Sequence, residues 1–477
     1  MKRFIISIIC FGTLFSFSQN LTQKLNAFVE QLSNDSNFSS AFIGVCIKDL
    51  TQNQIIYDYN ADKNFIPASI QKLPLTAVAL QKLGSNYTFK TYLLSSGTLE
   101  NGVLKGDIYI VGGGDPTLGS PRFKETSPDV VFATWQRALI QKGIRTIDGN
   151  LYIDPSIFDN HPLNETWMWG DVGNYFGAGV KGINWHENMF TITVNPADSI
   201  SKKGIIKEIY PTLPEDFIIK NEVVTVKKGA ENYIMIYGDS YSKQREIFGY
   251  ISMGKSNVTA KGALPLPEYV CAMSFKDYLK KQGVNINGLV DYIRIDTLQK
   301  SIDTLFVHRS PSLSVIINHI HKTSNNIYAE AVFKLLGKGS NINASQVIKN
   351  NLKQMGITTQ NITIADGSGL SRANLISPRA VCEVLSHVYS SSFYPFYLQS
   401  LSEAGVSGTL KNILKNKPKG SKIYAKSGTM AGIRGYAGYA IHENGKVYGF
   451  TIIINNFTCK SILVRNELEK LLTLLIE

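Results

Sequence analysis

The stretch Pro67-Ala68-Ser69-Ile70-Gln71-Lys72 decides how this chain is read, because it opens the apolar run Leu73 to Leu80, a buried-helix pattern. Ser69 and Lys72 stand three apart, so at a helix start they share a face with β-carbons roughly 5–6 Å apart. An amine so placed can take the hydroxyl proton only if it is neutral, and a free lysine, with pKa about 10.4, is almost wholly ammonium at neutral pH. Burial and a second nearby cation both lower that pKa, and about three units correspond to roughly 4 kcal/mol. The chain should therefore bring another lysine to Lys72.

Alone, Ser-x-x-Lys is a weak signal: it recurs at Ser199/Lys202, Ser240/Lys243 and Ser252/Lys255, in polar, lysine-rich loops. Ser69 differs in standing at the mouth of an apolar helix, and in being followed by Ser324-Asn325-Asn326 and then Lys426-Ser427-Gly428. Lys426 is the second cation that Lys72 requires. Taken singly, Ser324 and Asn326 could cap a helix starting near Asn326, and Lys426 could be an edge-strand charge. The ordered set Ser-x-x-Lys, Ser-x-Asn, Lys-Ser/Thr-Gly resembles the active-site motifs of penicillin-binding proteins and serine β-lactamases.

A length of 477 residues suggests about three domains, and 44% hydrophobic content can fill a core. The net charge of +12 is scattered, without a helix-turn-helix or aromatic-basic signature, so an anionic cell envelope suits it better than nucleic acid. Lys2-Arg3, the apolar run Ile5 to Phe17 and the small residues Ser16 and Ser18 read as a secretory leader cleaved near Ser18/Gln19. That run is shorter than the roughly 20 residues of a spanning helix. Cys10 has no small residues before it, against a lipid anchor, and no later segment is apolar enough to span. The expectation is an exported, periplasmic protein with no membrane span.

Cys46, Cys271, Cys382 and Cys459 allow three full pairings, but Cys46 and Cys382 lie in apolar patterns that favour free buried thiols. No cofactor or metal is expected: there is no Cys-x-x-Cys, and His319 and His321 would point apart on a helix. Gly112-Gly113-Gly114 lacks the strand-to-helix context of a nucleotide loop and reads as a turn.

Leu25, Phe28, Val29 and Leu32 mark an amphipathic helix, followed by strands near 41–48 and 53–58 and then the Ser69 helix. Pro74 inside that helix should distort its first turn or kink it. At the other end, strands over 436–442 and 447–454 flank the hairpin dipeptide Asn444-Gly445, and a terminal helix carries Val464, Leu468, Leu471, Leu472 and Leu475 on one face. Helical patterns also cover 312–321, 326–337, 344–355 and 377–390. One α/β (α+β) domain built from both termini is expected, its antiparallel sheet flanked by helices.

The roughly 250 residues separating Ser69 from Ser324 are far too many for a loop, and they contain strand, helix and turn patterns of their own. Predicted boundaries are 19–90 and 305–477 for the penicillin-binding, transpeptidase-like domain, 91–155 and 240–304 for an inserted domain, and 156–239 for a small β domain nested within that. This nested layout resembles the class C low-molecular-mass penicillin-binding proteins, the D-alanyl-D-alanine carboxypeptidase/endopeptidase family. Leu104-Lys105-Gly106-Asp107, Gly114-Asp115-Pro116-Thr117-Leu118, Asp148-Gly149-Asn150 and Asp366-Gly367-Ser368-Gly369-Leu370-Ser371-Arg372 look like its landmarks. Departures are mild: Asn325 stands where many members have Asp, Ser427 where many have Thr, and Pro74 interrupts the helix.

The resemblance implies that Ser69 attacks the carbonyl of a D-Ala-D-Ala bond with Lys72 as general base. Ser324 would relay a proton to the leaving amine, and the backbone N–H groups of Ser69 and Thr429 would form the oxyanion hole. Asn326 would hold the substrate amide, Lys426 and Thr429 its terminal carboxylate. Arg372 is the part of its stretch expected to touch substrate, and Asp171, in Trp167-Met168-Trp169-Gly170-Asp171, would bind the free amine of a diamino-acid stem residue. The implied partners are peptidoglycan stem peptides and covalently acting β-lactams, with no nucleic acid. A β-lactamase would need a deacylating base, and no Glu-x-x-Leu-Asn occurs; a non-catalytic peptidoglycan-binding scaffold would have no use for an intact nucleophile.

Overall fold

The computed structural model describes residues 21–298, 301–416 and 420–476; the predicted leader over 1–18 lies outside them. The described residues form two compact units, one from those up to 85, 314–325 and those from 345 onward, the other from those between 86 and 313 and from 326–344.

In the first unit a six-stranded sheet runs in the order Ser402–Glu403, Lys422–Met430, Ile433–Ile441, Val447–Asn455, Phe42–Asp49, Gln54–Tyr59. Every neighbouring pair is antiparallel, and the two ends of the chain meet where Val45 faces Ile452. The predicted mixed fold, an antiparallel sheet flanked by helices, is the one observed. A helix over 21–34 buries Leu25, Val29 and Leu32, and the terminal helix Ser461–Leu474 buries Val464, Leu468, Leu471 and Leu472, in one core with Ile452 and Ile454. Each such side chain contributes roughly 1.5–3 kcal/mol of burial, which ties both termini to the sheet.

The helix Pro378–Tyr389 packs on the strands Phe42–Asp49 and Val447–Asn455, and the Cys382 thiol donates to the Cys46 carbonyl at 3.1 Å. Cys46, Cys271, Cys382 and Cys459 are all free thiols. The Pro74 segment begins as a 3₁₀ turn, Ala68–Gln71, the first-turn distortion expected, and becomes α-helical at Lys72, so that Pro74 stands in the first α-turn, where the N–H it lacks is not required.

Among the described residues the second unit holds four sheets. A five-stranded one joins Lys90–Ser96, Ile108–Val111, Leu151–Asp154, Val290–Tyr292 and Ile302–Arg309, beside a core built on Trp135, Phe132 and Trp185. Strand pairing carries the β module past residue 239: Gln244–Ser252 lies between Ile218–Val226 and Tyr233–Tyr237, and Val258–Ala263 pairs with Met189–Asn195. Among the described residues no helix is long and apolar enough to cross a membrane.

Asp115 makes this unit pH-sensitive. Its Oδ1 accepts from the Thr117 amide at 2.8 Å and hydroxyl at 2.6 Å, whereas the buried Oδ2 has no partner. Burial pushes the carboxyl up from 3.8 to about 6. The folded state therefore holds this proton more tightly than the unfolded state, and the contribution, full below about pH 4, is lost as pH rises through 6, at a cost of about 1–3 kcal/mol. Asp115→Asn should gain on the wild type by that amount between about pH 4 and pH 7.5 in urea unfolding; a pH-independent difference would contradict the assignment.

Candidate active site

The Ser69 turn is fixed from the sheet and from the loop after it. Asn455, at a strand end, accepts from the Ile66 amide at 2.8 Å and donates to the Ile66 carbonyl at 3.2 Å, clamping the residue before Pro67. Two non-glycine residues beside the site have left-handed backbones, Ala68 (φ 47) and Ser324 (φ 59), strain of the kind that clusters where geometry serves chemistry. Gly428 faces the turn: a β-carbon there would stand 2.6 Å from the Pro67 carbonyl oxygen. Gly369 (φ 80) lies closer still, with a β-carbon due 1.8 Å from the Ala68 carbonyl oxygen, so only glycine fits both the conformation and the contact.

Within this frame Lys72, fully buried, donates from Nζ to Ser69 Oγ at 2.9 Å and to the Ser368 carbonyl at 2.6 Å. Lys426, equally buried, donates to Ser324 Oγ at 2.9 Å and to the Ser427 carbonyl at 2.7 Å. Burial holds the Lys426 ammonium well below the ordinary lysine range, and the charge of Lys72 lowers it further. Both serines are half-buried, with Ser427 and Thr429 beside them in a cavity of about 280 Å³ that Thr409, Arg434 and Tyr436 also line. The pairing of Lys422–Met430 with Ser402–Glu403 ends at Ala425, so among the described residues Lys426 to Met430 pairs with a strand on one side only, Ile433–Ile441, and its other side is a sheet edge.

The structure thus brings together Ser69, Lys72, Ser324, Lys426 and Thr429. Asn326 starts the helix Asn326–Leu336 in the second unit, where its side-chain amide donates to the Phe176 carbonyl at 2.8 Å. Asp171, in the same unit, occupies the short helix Trp169–Val172, next to an exposed Trp169. Arg372 is half-buried and donates to the Ala431 carbonyl at 3.1 Å, just past the Lys426 strand.

Sequence reasoning missed three contributors. Ser368 offers Lys72 a carbonyl, and its loop is held by Asp366, which accepts from the amides of Gly369 and Ser371 and from the Asn374 side chain. Asn455 carries no motif. His321 is buried between Thr76 Oγ1 and Ser400 Oγ, at 2.9 and 2.8 Å, bracing the Lys72 helix. Burial and the nearby lysines keep its imidazole well below the usual histidine range, hence neutral.

A serine hydrogen-bonded to a buried lysine, a second serine–lysine pair and an antiparallel sheet edge fit a serine DD-peptidase of the penicillin-binding class. The chain belongs to the D-Ala-D-Ala carboxypeptidase 3 (S13) family, whose model matches residues 25–473. It is 26% identical to the D-alanyl-D-alanine carboxypeptidase of Actinomadura sp. (strain R39), over 91% of this chain and 81% of that one. It is also 26% identical to the D-alanyl-D-alanine carboxypeptidase DacB of Haemophilus influenzae, over 87% and 86%. The crystal structure of penicillin binding protein 4 from Haemophilus influenzae shares the fold, with a TM-score of 0.80 at 24% identity, covering 94% of this chain and 97% of that one.

Proposed function

We propose that this serine DD-carboxypeptidase trims peptidoglycan stem peptides in the periplasm through an acyl-enzyme on Ser69, cleaving terminal D-Ala-D-Ala and cross-linked stems alike. The carrying observation is the double pair: Lys72 Nζ 2.9 Å from Ser69 Oγ, and Lys426 Nζ 2.9 Å from Ser324 Oγ. Lys72 takes the Ser69 proton as Oγ adds to the carbonyl. The oxyanion lies against the backbone N–H groups of Ser69 and Thr429, each worth roughly 3–4 kcal/mol. As the C–N bond breaks, Ser324 passes a proton to the departing amine, and water then hydrolyses the ester and restores Ser69. The edge Lys426 to Met430 suits an extended peptide added as a strand. Substrate handling falls to Asn326 at the peptide amide, Lys426 and Thr429 at the carboxylate, and Arg372. The inserted stretch forms two nested domains, and the leader over 1–18 directs export.

The test is to incubate the mature protein with defined muropeptides and identify products by mass. Loss of one alanine from monomers, and of the bridge from dimers, is expected; neither product would sink the reading. Within the same assay, Asp171 binds the free side-chain amine of a diamino-acid stem residue. Asp171→Asn should slow cleavage of substrates with that amine by about tenfold, roughly 1.4 kcal/mol, while penicillin acylation stays nearly unchanged. Equal loss on both would make Asp171 structural.

A further inference from the structure

Within the second unit lies a cavity of about 750 Å³, walled by residues from the start of the helix Pro267–Lys281, the end of the strand Val290–Tyr292 and the loop at 238–243. Small-molecule sites span roughly 300–1,000 Å³. In its wall Lys181 and Glu268, both buried, form an ion pair at 3.0 Å. Tyr292 Oη donates to the same carboxylate oxygen, Oε1, at 3.3 Å. The buried Oε2 of Glu268 has no hydrogen-bond partner among the described residues. Lys181 Nζ bonds to Oε1 alone among them, which leaves its ammonium two N–H groups to give. Two tyrosine rings stand open beside the pair. Tyr241, 53% exposed, is held by its hydroxyl on the Asn160 carbonyl at 3.0 Å, with Lys181 Nζ 5.6 Å from its ring centre, and Tyr292 is 42% exposed.

The charges of this wall are already matched. Asp159 pairs with Lys334, Lys181 with Glu268 and Arg294 with Asp296, so a charged ligand meets no unpaired counter-charge. What stays unused is hydrogen-bonding capacity at the Lys181–Glu268 pair, next to exposed aromatic faces. A pyranose sugar is the complement: it is uncharged, its hydroxyls donate and accept, and its C–H faces lie flat on an aromatic ring. We propose that this cavity is a glycan-binding site, with Tyr241 and Tyr292 as stacking platforms and the Lys181–Glu268 pair meeting sugar hydroxyls. Taking the glycan to be the N-acetylated amino-sugar strand of peptidoglycan rests on the DD-peptidase reading, since the stem peptides are joined to that strand. The site then holds the enzyme on the polymer whose stems it trims.

The experiment titrates the mature protein with chitotetraose, a peptide-free tetramer of N-acetylglucosamine, by isothermal calorimetry, and measures co-sedimentation with isolated cell-wall sacculi alongside. Wild type should bind the tetramer saturably at one site. Tyr241→Ala and Tyr292→Ala should each weaken that binding about tenfold, and sedimentation with sacculi should fall in step. Tyr241→Phe, which keeps the ring and loses only the hydroxyl on Asn160, should bind within about twofold of wild type. Thermal unfolding of each variant separates lost binding from lost structure, and the two alanine variants lie on different elements, so that one can carry the test if the other melts early. No saturable binding by wild type, or binding that both folded alanine variants keep, would overturn the proposal. Chitotetraose binding by a protein that cleaves no muropeptide would overturn the DD-peptidase reading and not the sugar site, whereas muropeptide cleavage without chitotetraose binding would do the reverse.

Discussion

Lys72→Ala is expected to slow acylation of Ser69 about a thousandfold, the middle of the range for loss of a positioned general base. The serine itself should remain in place, since its turn is held by Asn455 and the Gly369 loop rather than by the lysine. The variant also removes a like charge from Lys426, whose ammonium is lowered first by burial and then by Lys72. Lys426 should therefore hold its proton more firmly in the variant, and it cannot substitute as a base, because its hydrogen bonds run to Ser324 and the Ser427 carbonyl. Stopped-flow acylation by a chromogenic cephalosporin measures this. A variant acylated at the wild-type rate would remove Lys72 from the mechanism.

Lys426→Ala should weaken acylation by about a hundredfold, near 3 kcal/mol. Ser324 Oγ loses the donor that orients it. The loss should appear in both kcat and KM if Ser324 and Lys426 act as proposed, the one in proton transfer and the other at the substrate carboxylate. Full-rate acylation in this variant would mean that the second lysine is not required.

Much of this was legible because the chemistry is local or strongly patterned. Three residues separate Ser69 from Lys72, and helix geometry alone makes them neighbours. The demand for a neutral lysine points to Lys426 from the sequence alone, and the strand-like runs around Asn444-Gly445 mark the hairpin whose first strand pairs with the Lys426 strand. What stayed hidden was set by long-range backbone contact. The Ser368 carbonyl and the Asn455 clamp act through groups for which residue identity carries little signal. Arg434 is one basic residue in a strand until pairing puts it opposite Thr429. The β module was cut short at 239 because Gln244–Ser252 completes a sheet through a parallel pairing with Ile218–Val226, a register that no turn dipeptide announces.

The central claim is that Ser69 is the nucleophile, and mapping the penicillin adduct tests it most directly. Mature protein is incubated with penicillin, digested, and the modified peptide identified by mass, alongside Ser69→Ala checked for folding by circular dichroism. One adduct on the peptide containing Ser69, slowly hydrolysed and absent from the folded variant, is the predicted result. An adduct on Ser324, Ser252 or any other serine, or one that persists in Ser69→Ala, would contradict it.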